Sequence, residues 1–399
     1  MSNLYAIKNV RIISDCTEKK QNTIIVKDGK IDGLSDRLPE GFDGKVIDGK
    51  NNYLSSGFID IHCHGGGGHD FMDSTVEAFV EACRTHARYG TTSILPTTLA
   101  GEEEELCQSF KAFHEAKKIN KDGARMLGMH LEGPYFSKEF KGAQDEKYIV
   151  APQKEQYERI YEKSEGAIIR WSAAPELPGS DDFAAFLKKK GILASAAHTS
   201  ATYEQMLNAY NNGFSLITHL YSCMSTIVRV GGFRVPGVLE SAYLIDGISA
   251  ELIADGCHLP PSLLQYAYKF KGVDKLVLVT DSMRGAGMPD GESILGSLEK
   301  GQQVFIEKGV AFLPDRTAFA GSVCTADRLV RTMYKSADIP LPETIKMITE
   351  NPAKLIGYGD TKGSINEGFD ADLVLFDDDI NVKITVVGGN IVYGGSDAQ

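Results

Sequence analysis

Between residues 57 and 280 the chain alternates short apolar runs with longer stretches of helical period. Eight runs read as strand candidates: Gly57–His62, Thr91–Pro96, Met126–Leu131, Ile168–Ala173, Ile192–Ala197, Ser215–Thr218, Ile248–Ala254 and Lys275–Thr280. Amphipathic patterns predict helices over Thr75–Tyr89, Leu106–Ile119, Gln153–Lys163, Asp182–Lys190 and Tyr203–Asn211, with Val323–Lys335 and Glu343–Glu350 after the last strand. Strand alternating with helix argues for a parallel sheet, and eight such units close into an α/β (β/α)8 TIM barrel. Met283 to Arg316 interrupts the alternation with β-like pieces at Gln303–Ile306 and Val310–Leu313, and reads as an insertion after strand eight.

The two ends of the chain carry another pattern. Residues 4–13, 23–27 and 46–48 are short β-type runs broken by turns such as Lys27-Asp28-Gly29-Lys30. Asp372–Phe376, Val382–Val387 and Ile391–Tyr393 repeat the style at the other end. Neither end buries much alone, so both are expected to combine into one small β-sandwich domain. The expected division is residues 1–55 with 359–399 against a catalytic barrel over 56–358.

Polar side chains stand where the apolar strands run out. The run Gly57-Phe58-Ile59-Asp60-Ile61 leads into His62 and His64, followed by four glycines. Alternate residues of a strand share a face, so the two histidines point the same way and Cys63 the other. Strand three ends in His130 and Glu132, five in His198, six in His219 and eight in Asp281. The C-terminal strand ends form the catalytic face of such a barrel, so these groups are expected to meet at one mouth. Imidazole and carboxylate are the ligand types of Zn2+ or Fe2+, with one coordination position left for water.

Composition narrows the partners. A formal net charge of −12 argues against a nucleic-acid or anionic-membrane binder. The seven cysteines are scattered, without a CxxC pair, which suits free thiols in a reducing cytoplasm. The N-terminus has no long apolar h-region, and no stretch approaches transmembrane length.

The order HxH, Glu, His, His, Asp over strands one, three, five, six and eight resembles the amidohydrolase superfamily. The segments HLEGPY, THLYSCM and GSINEGFDADLVLFD are similar, more narrowly, to the N-acetylglucosamine-6-phosphate deacetylases. That resemblance implies a metal-dependent hydrolase that converts N-acetylglucosamine 6-phosphate to glucosamine 6-phosphate and acetate in amino-sugar catabolism. It implies one or two divalent ions, Zn2+ ahead of Fe2+, with Glu132, His198 and His219 as main ligands and His62 and His64 completing a second position. Asp281 would be general base and then acid, and His258 would contact the sugar. Strand four, Ile168-Ile169-Arg170-Trp171-Ser172, has no lysine to carboxylate, which leaves Glu132 as the bridge between ions. The resemblance also implies a homodimer, with an arginine binding substrate phosphate, often from the neighbouring subunit. Arg234 matches that position and Arg229 is its rival.

Three positions depart from the family pattern. Gln144 replaces a histidine that polarises the acetyl carbonyl, and Ser222 replaces an asparagine that helps hold phosphate. The loop from Ser225 to Pro236 is longer and richer in valine. The same fold could act instead on N-acetylgalactosamine 6-phosphate, a cyclic amide or an aminopurine. Of the remaining histidines, His130 is expected on the face opposite Glu132 in a structural role. His86 and His114 are expected at helix surfaces, and His69 in solvent. Asp255 is expected to serve a turn.

Overall fold

A computed structural model describes residues 3–394. The barrel strands are Phe58–Cys63, Thr91–Thr98, Met129–Glu132, Ile168–Ala173, Leu193–Ala196, Phe214–Ile217, Ser249–Leu252 and Leu276–Leu278, here numbered one to eight. Strand one pairs with two, and the order then follows the chain to eight, every pair parallel. The Asp281 N–H donates to the His62 carbonyl (2.8 Å), and Cys63 bridges to Ser282, so strands one and eight meet just beyond the end of strand eight. Strand three is shorter than the apolar run: it breaks at Gly128, where a Cβ would lie 2.7 Å from the Ile169 side chain.

Capping fixes where helices begin. The Thr75 hydroxyl accepts the Ala78 N–H ahead of Val76–Ala87, and Thr202 and Gln205 form a reciprocal box ahead of Tyr203–Asn212. In Val76–Ala87 the buried face runs through Phe79, Cys83 and His86, at helical spacing. His86 is therefore a buried residue, contrary to the surface position expected of it. His114 is half-buried, its Nε2 donating to the Ser164 carbonyl (2.9 Å), and His69 is half-buried too, not free in solvent.

Both chain ends join one sheet of eight strands. Its centre is Lys45–Ser56, which pairs in parallel with Leu4–Ser14 and antiparallel with Leu373–Phe376. Ile7, Ile12, Ile24, Leu54, Leu373 and Val386 share one core within it. We propose the division at 55/56 and 358/359, because Lys45–Ser56 runs almost directly into Phe58–Cys63. The insertion after strand eight is an antiparallel meander of four strands: Gly291–Leu295, Gln302–Glu307, Val310–Phe312 and Phe319–Ser322. It is larger than the two pieces visible in the sequence, and it lies over the barrel mouth.

Candidate active site

Six ionisable side chains from five strand ends meet at that mouth. Glu132 is the hub. Its Oε1 lies 3.3 Å from both His198 Nε2 and His219 Nε2 and 3.4 Å from His62 Nε2, while Oε2 lies 3.3 Å from His64 Nε2. Asp281 Oδ1 lies 3.1 Å from His64 Nε2 and 3.4 Å from His62 Nε2. His198, His219 and Asp281 all adopt left-handed backbone (φ 46°, 33° and 48°), which ends each strand abruptly. Such conformations cost about 1–3 kcal/mol each and concentrate where function requires them. The meander presses on the same point: Gly321 has φ 64°, and a Cβ there would come within 3.1 Å of the Asp281 carbonyl oxygen.

The histidines are oriented from behind. A carbonyl can only accept, so His198 Nδ1 must donate to the Phe140 oxygen (2.9 Å) and His219 Nδ1 to the Ser222 oxygen (3.1 Å). His62 Nδ1 faces the Glu251 carboxylate at 3.2 Å. Each Nε2 is thereby turned toward Glu132, and the buried His62 Nε2 makes no hydrogen bond among the described residues. Histidines that bind metal are typically held this way, with one ring nitrogen donating outward and the other free for the ion. The donor set of imidazoles and carboxylates suits Zn2+ or Fe2+. At the mouth, two triads satisfy ligand spacing, His62–His64–Glu132 and Glu132–His198–His219, with Glu132 common to both.

Charge tells the same story. Burial opposes ionisation of the histidines, yet Asp281 and Glu132 raise His62 to about 9 and His64 to about 10. Burial would raise the carboxylates, but His62 and His64 hold Asp281 down at about 2, and His62, His198 and His219 hold Glu132 well below its usual range. The mouth is thus built around two carboxylates that demand positive charge nearby.

A cavity of about 220 Å3 opens onto these groups. Gln144, Ser222 and His258 line it, as do Leu295 and Phe319 from the meander. The Gln144 amide is already engaged: Oε1 accepts the Ala100 N–H and Nε2 donates to Glu132 Oε2, both at 2.9 Å. Asp255 caps its turn through the N–H groups of Cys257 and His258, as expected, and its other oxygen also fixes the His258 ring (2.8 Å). Arg229 and Arg234 are not brought to this cavity. They face each other across an exposed hairpin, Val228–Val230 with Phe233–Val235.

Beneath the mouth the barrel interior is polar. Arg170 of strand four forms an ion pair with Glu251 of strand seven, and its other donors reach Ser195 Oγ, Thr218 Oγ1 and the Ile61 carbonyl. His130 lies on the same face as Glu132, correcting the expectation, because the two are two residues apart. Its Nε2 contacts Ser172 Oγ (2.7 Å), and its ring stands edge-on to His62 at 4.7 Å. A third group with ligand spacing, Asp60, Cys63 and His86, is consumed internally. The Thr280 hydroxyl donates to Asp60 (2.5 Å), His86 Nε2 donates to the Gly65 carbonyl (2.9 Å), and burial keeps the Cys63 thiol neutral.

Comparison with known proteins agrees with this geometry. The amidohydrolase family profile matches residues 53–392. An N-acetylglucosamine-6-phosphate deacetylase of Lysinibacillus sphaericus is 35% identical over 393 residues, covering 96% of this chain and 97% of that protein. The enzyme of the same name from Bacillus subtilis is 34% identical, with 100% of both chains covered. The crystal structure of the Pasteurella multocida N-acetylglucosamine-6-phosphate deacetylase superposes with a TM-score of 0.89 at 31% identity, over 97% of this chain and 99% of that one.

Proposed function

The chain belongs to the amidohydrolase family, among its N-acetylglucosamine-6-phosphate deacetylases, and from that premise we propose how its residues perform the reaction. It hydrolyses the acetamido group of N-acetylglucosamine 6-phosphate to acetate and glucosamine 6-phosphate. The observation that carries this reading is the buried convergence of Glu132, His198, His219, His62 and His64 beside Asp281. Glu132, His198 and His219 would hold one divalent ion, and His62, His64 and Asp281 would join Glu132 around a second, with Zn2+ ahead of Fe2+. Bound there, an ion supplies Lewis acidity, acidifying a water and polarising the amide carbonyl.

The remaining steps fall to protein groups. Asp281, an anion with its side chain open to the cavity, takes the proton from the attacking water. It returns that proton to the amine nitrogen as the C–N bond breaks, so one carboxylate serves as base and then acid. Gln144 holds Glu132 in place, and its second amide hydrogen, without a partner among the described residues, would serve the substrate carbonyl. His258 donates through Nδ1 to Asp255, which leaves Nε2 as an acceptor for a sugar hydroxyl. Ser222 also lines the cavity.

The phosphate end requires a second copy of the chain. Ile227, Val230 and Phe233 are 55%, 60% and 79% exposed on the hairpin that carries Arg229 and Arg234. An apolar hairpin of that kind asks for a protein partner. A homodimer would bury it and deliver Arg234, with Arg229 beside it, to the partner's cavity. Buried thiols at Cys63, Cys83, Cys107 and Cys324 suit the reducing cytoplasm. Among the described residues no helix is long and apolar enough to cross a membrane.

The test is acetate release from N-acetylglucosamine 6-phosphate, its galactosamine epimer and both unphosphorylated sugars, with elemental analysis of the same sample. Preferred turnover of the glucosamine phosphate with one or two ions per chain is expected. Preference for the epimer would move the specificity, and ammonia in place of acetate would mean deamination.

A further inference from the structure

The apolar run Ile248–Ala254 contains one carboxylate, Glu251, and the run Ile168–Ala173 contains one guanidinium, Arg170. Both side chains are fully buried, inside the barrel and directly beneath the mouth. Two charges withdrawn from water gain little net stability from pairing, so a buried ion pair calls for another explanation. Here the explanation lies in the second carboxylate oxygen. Glu251 Oε1 meets Arg170, while Oε2 accepts from two donors at 3.2 Å: the His62 ring Nδ1 and the His219 backbone N–H. One oxygen therefore ties the first barrel strand to His219, two residues beyond the end of the sixth.

We infer that Glu251, locked by Arg170, is the positioning residue that creates the metal position at His62 and His64 and sets it against the one at His198 and His219. This rests on the metal reading given above. Arg170, paired with Oε1, fixes which way the carboxylate faces. The oxygen that accepts the His219 N–H also faces Nδ1, so His62 donates there, which leaves the Nε2 lone pair for an ion. That Nε2 is buried and makes no hydrogen bond among the described residues, lying 3.4 Å from both Glu132 and Asp281. His64 lacks such support, since its Nδ1 has no partner among the described residues. Of the two imidazoles, only His62 thus has its ring held from behind among the described residues, and Glu251 is what holds it. His219 has a second anchor in the Ser222 carbonyl, so the ion at Glu132, His198 and His219 is less dependent on Glu251.

Glu251→Gln tests this. Arg170 would claim the amide oxygen and turn the NH2 toward His62, so Nδ1 becomes an acceptor and the proton moves to Nε2. Zn2+ binding, followed by chelator competition and elemental analysis, should show two ions on the wild-type protein. In the variant one of them should weaken by about 10–100-fold, the usual effect of losing an outer partner of a ligand. The charge-matched double variant Arg170→Met, Glu251→Leu should show the same selective loss without a stranded charge. Metal-free melting temperatures report whether either variant folds. In Zn2+-loaded wild-type protein, ring 15N spectra should show His62 with its proton on Nδ1, which needs no variant. Two ions held with unchanged affinity in a folded variant, or His62 protonated on Nε2, would overturn the inference. Wild-type protein that binds no ion at all would instead remove the metal reading beneath it.

Discussion

The floor of the barrel mouth and the hairpin at its side are built on opposite principles. At the floor, His62, His64, Glu132, His198, His219 and Asp281 are nearly fully buried, and each has an oppositely ionising partner within 3.4 Å. On the hairpin, Arg229 and Arg234 are exposed neighbours of like charge, set among Val228, Val230 and Phe233, with no carboxylate partner among the described residues. The floor is assembled within one chain, whereas in the proposed dimer the hairpin is half of an arrangement. Chemistry at the acetamido group should therefore depend on side chains of a single chain. Recognition of the phosphate should depend on assembly.

The largest effects should come from the floor. Asp281→Asn keeps the shape but removes the proton acceptor, and kcat should fall on the order of 10²–10⁴ with substrate affinity kept. Near-normal turnover would take Asp281 out of the mechanism. His198→Ala should lower the ion content measured by elemental analysis as well as activity, and unchanged content would mean the ligands are misassigned. The hairpin should behave differently. Arg234→Ala should raise KM roughly 10–100-fold for the phosphorylated sugar, the span expected of a charge-assisted hydrogen bond, and much less for the unphosphorylated one. Phe233→Asp should reproduce that selectivity loss by separating the subunits, visible as a halved mass in light scattering. If Phe233→Asp left a dimer with full phosphate selectivity, the contrast between floor and hairpin would collapse.

The floor was readable in the sequence because two regularities coincide there. Strand periodicity says which residues share a face, and a parallel barrel puts every strand's C-terminal end at one mouth. His62, His64, Glu132, His198, His219 and Asp281 needed nothing else to be brought together. His130 needed only the same rule applied with care, since positions 130 and 132 must face alike. His86 was also within reach: Phe79, Cys83 and His86 lie at i, i+4 and i+7, which is the buried stripe of their helix. Arg170 and Glu251 are a different case. Each is a single charge in an apolar run, and the partner that explains it lies 81 residues away on a strand that only barrel closure brings near. Gln144 falls between the two cases. Its presence at the site could be expected, but not that its amide is spent on Ala100 and Glu132, because that depends on loop backbone that no periodicity governs.

The smallest effect concerns stability, and it separates the two regions most cleanly. In metal-free protein His62 and His64 bind protons more tightly than in the unfolded chain, about 9 and about 10 against an ordinary 6.5. A group whose pKa is raised on folding stabilises the fold fully below its unfolded value, and that stabilisation is lost as pH rises through the folded value. Asp281 has the opposite sign. Held at about 2, it contributes above the ordinary carboxylate range and loses that contribution as pH falls toward 2. Metal-free protein should therefore be most stable between about pH 4 and 6.5, with the melting temperature falling by roughly a few degrees from pH 6.5 to 10. Ions at the floor would take the place of those protons, since metal binding displaces them from imidazole, and the alkaline decline should flatten in the loaded protein. Phe233→Asp leaves the floor untouched, so it should shift the whole curve without changing its slope. A metal-free melting temperature that stays level from pH 6.5 to 10 would mean that the carboxylates do not hold protons on His62 and His64, and that the floor is less tightly coupled than its distances imply.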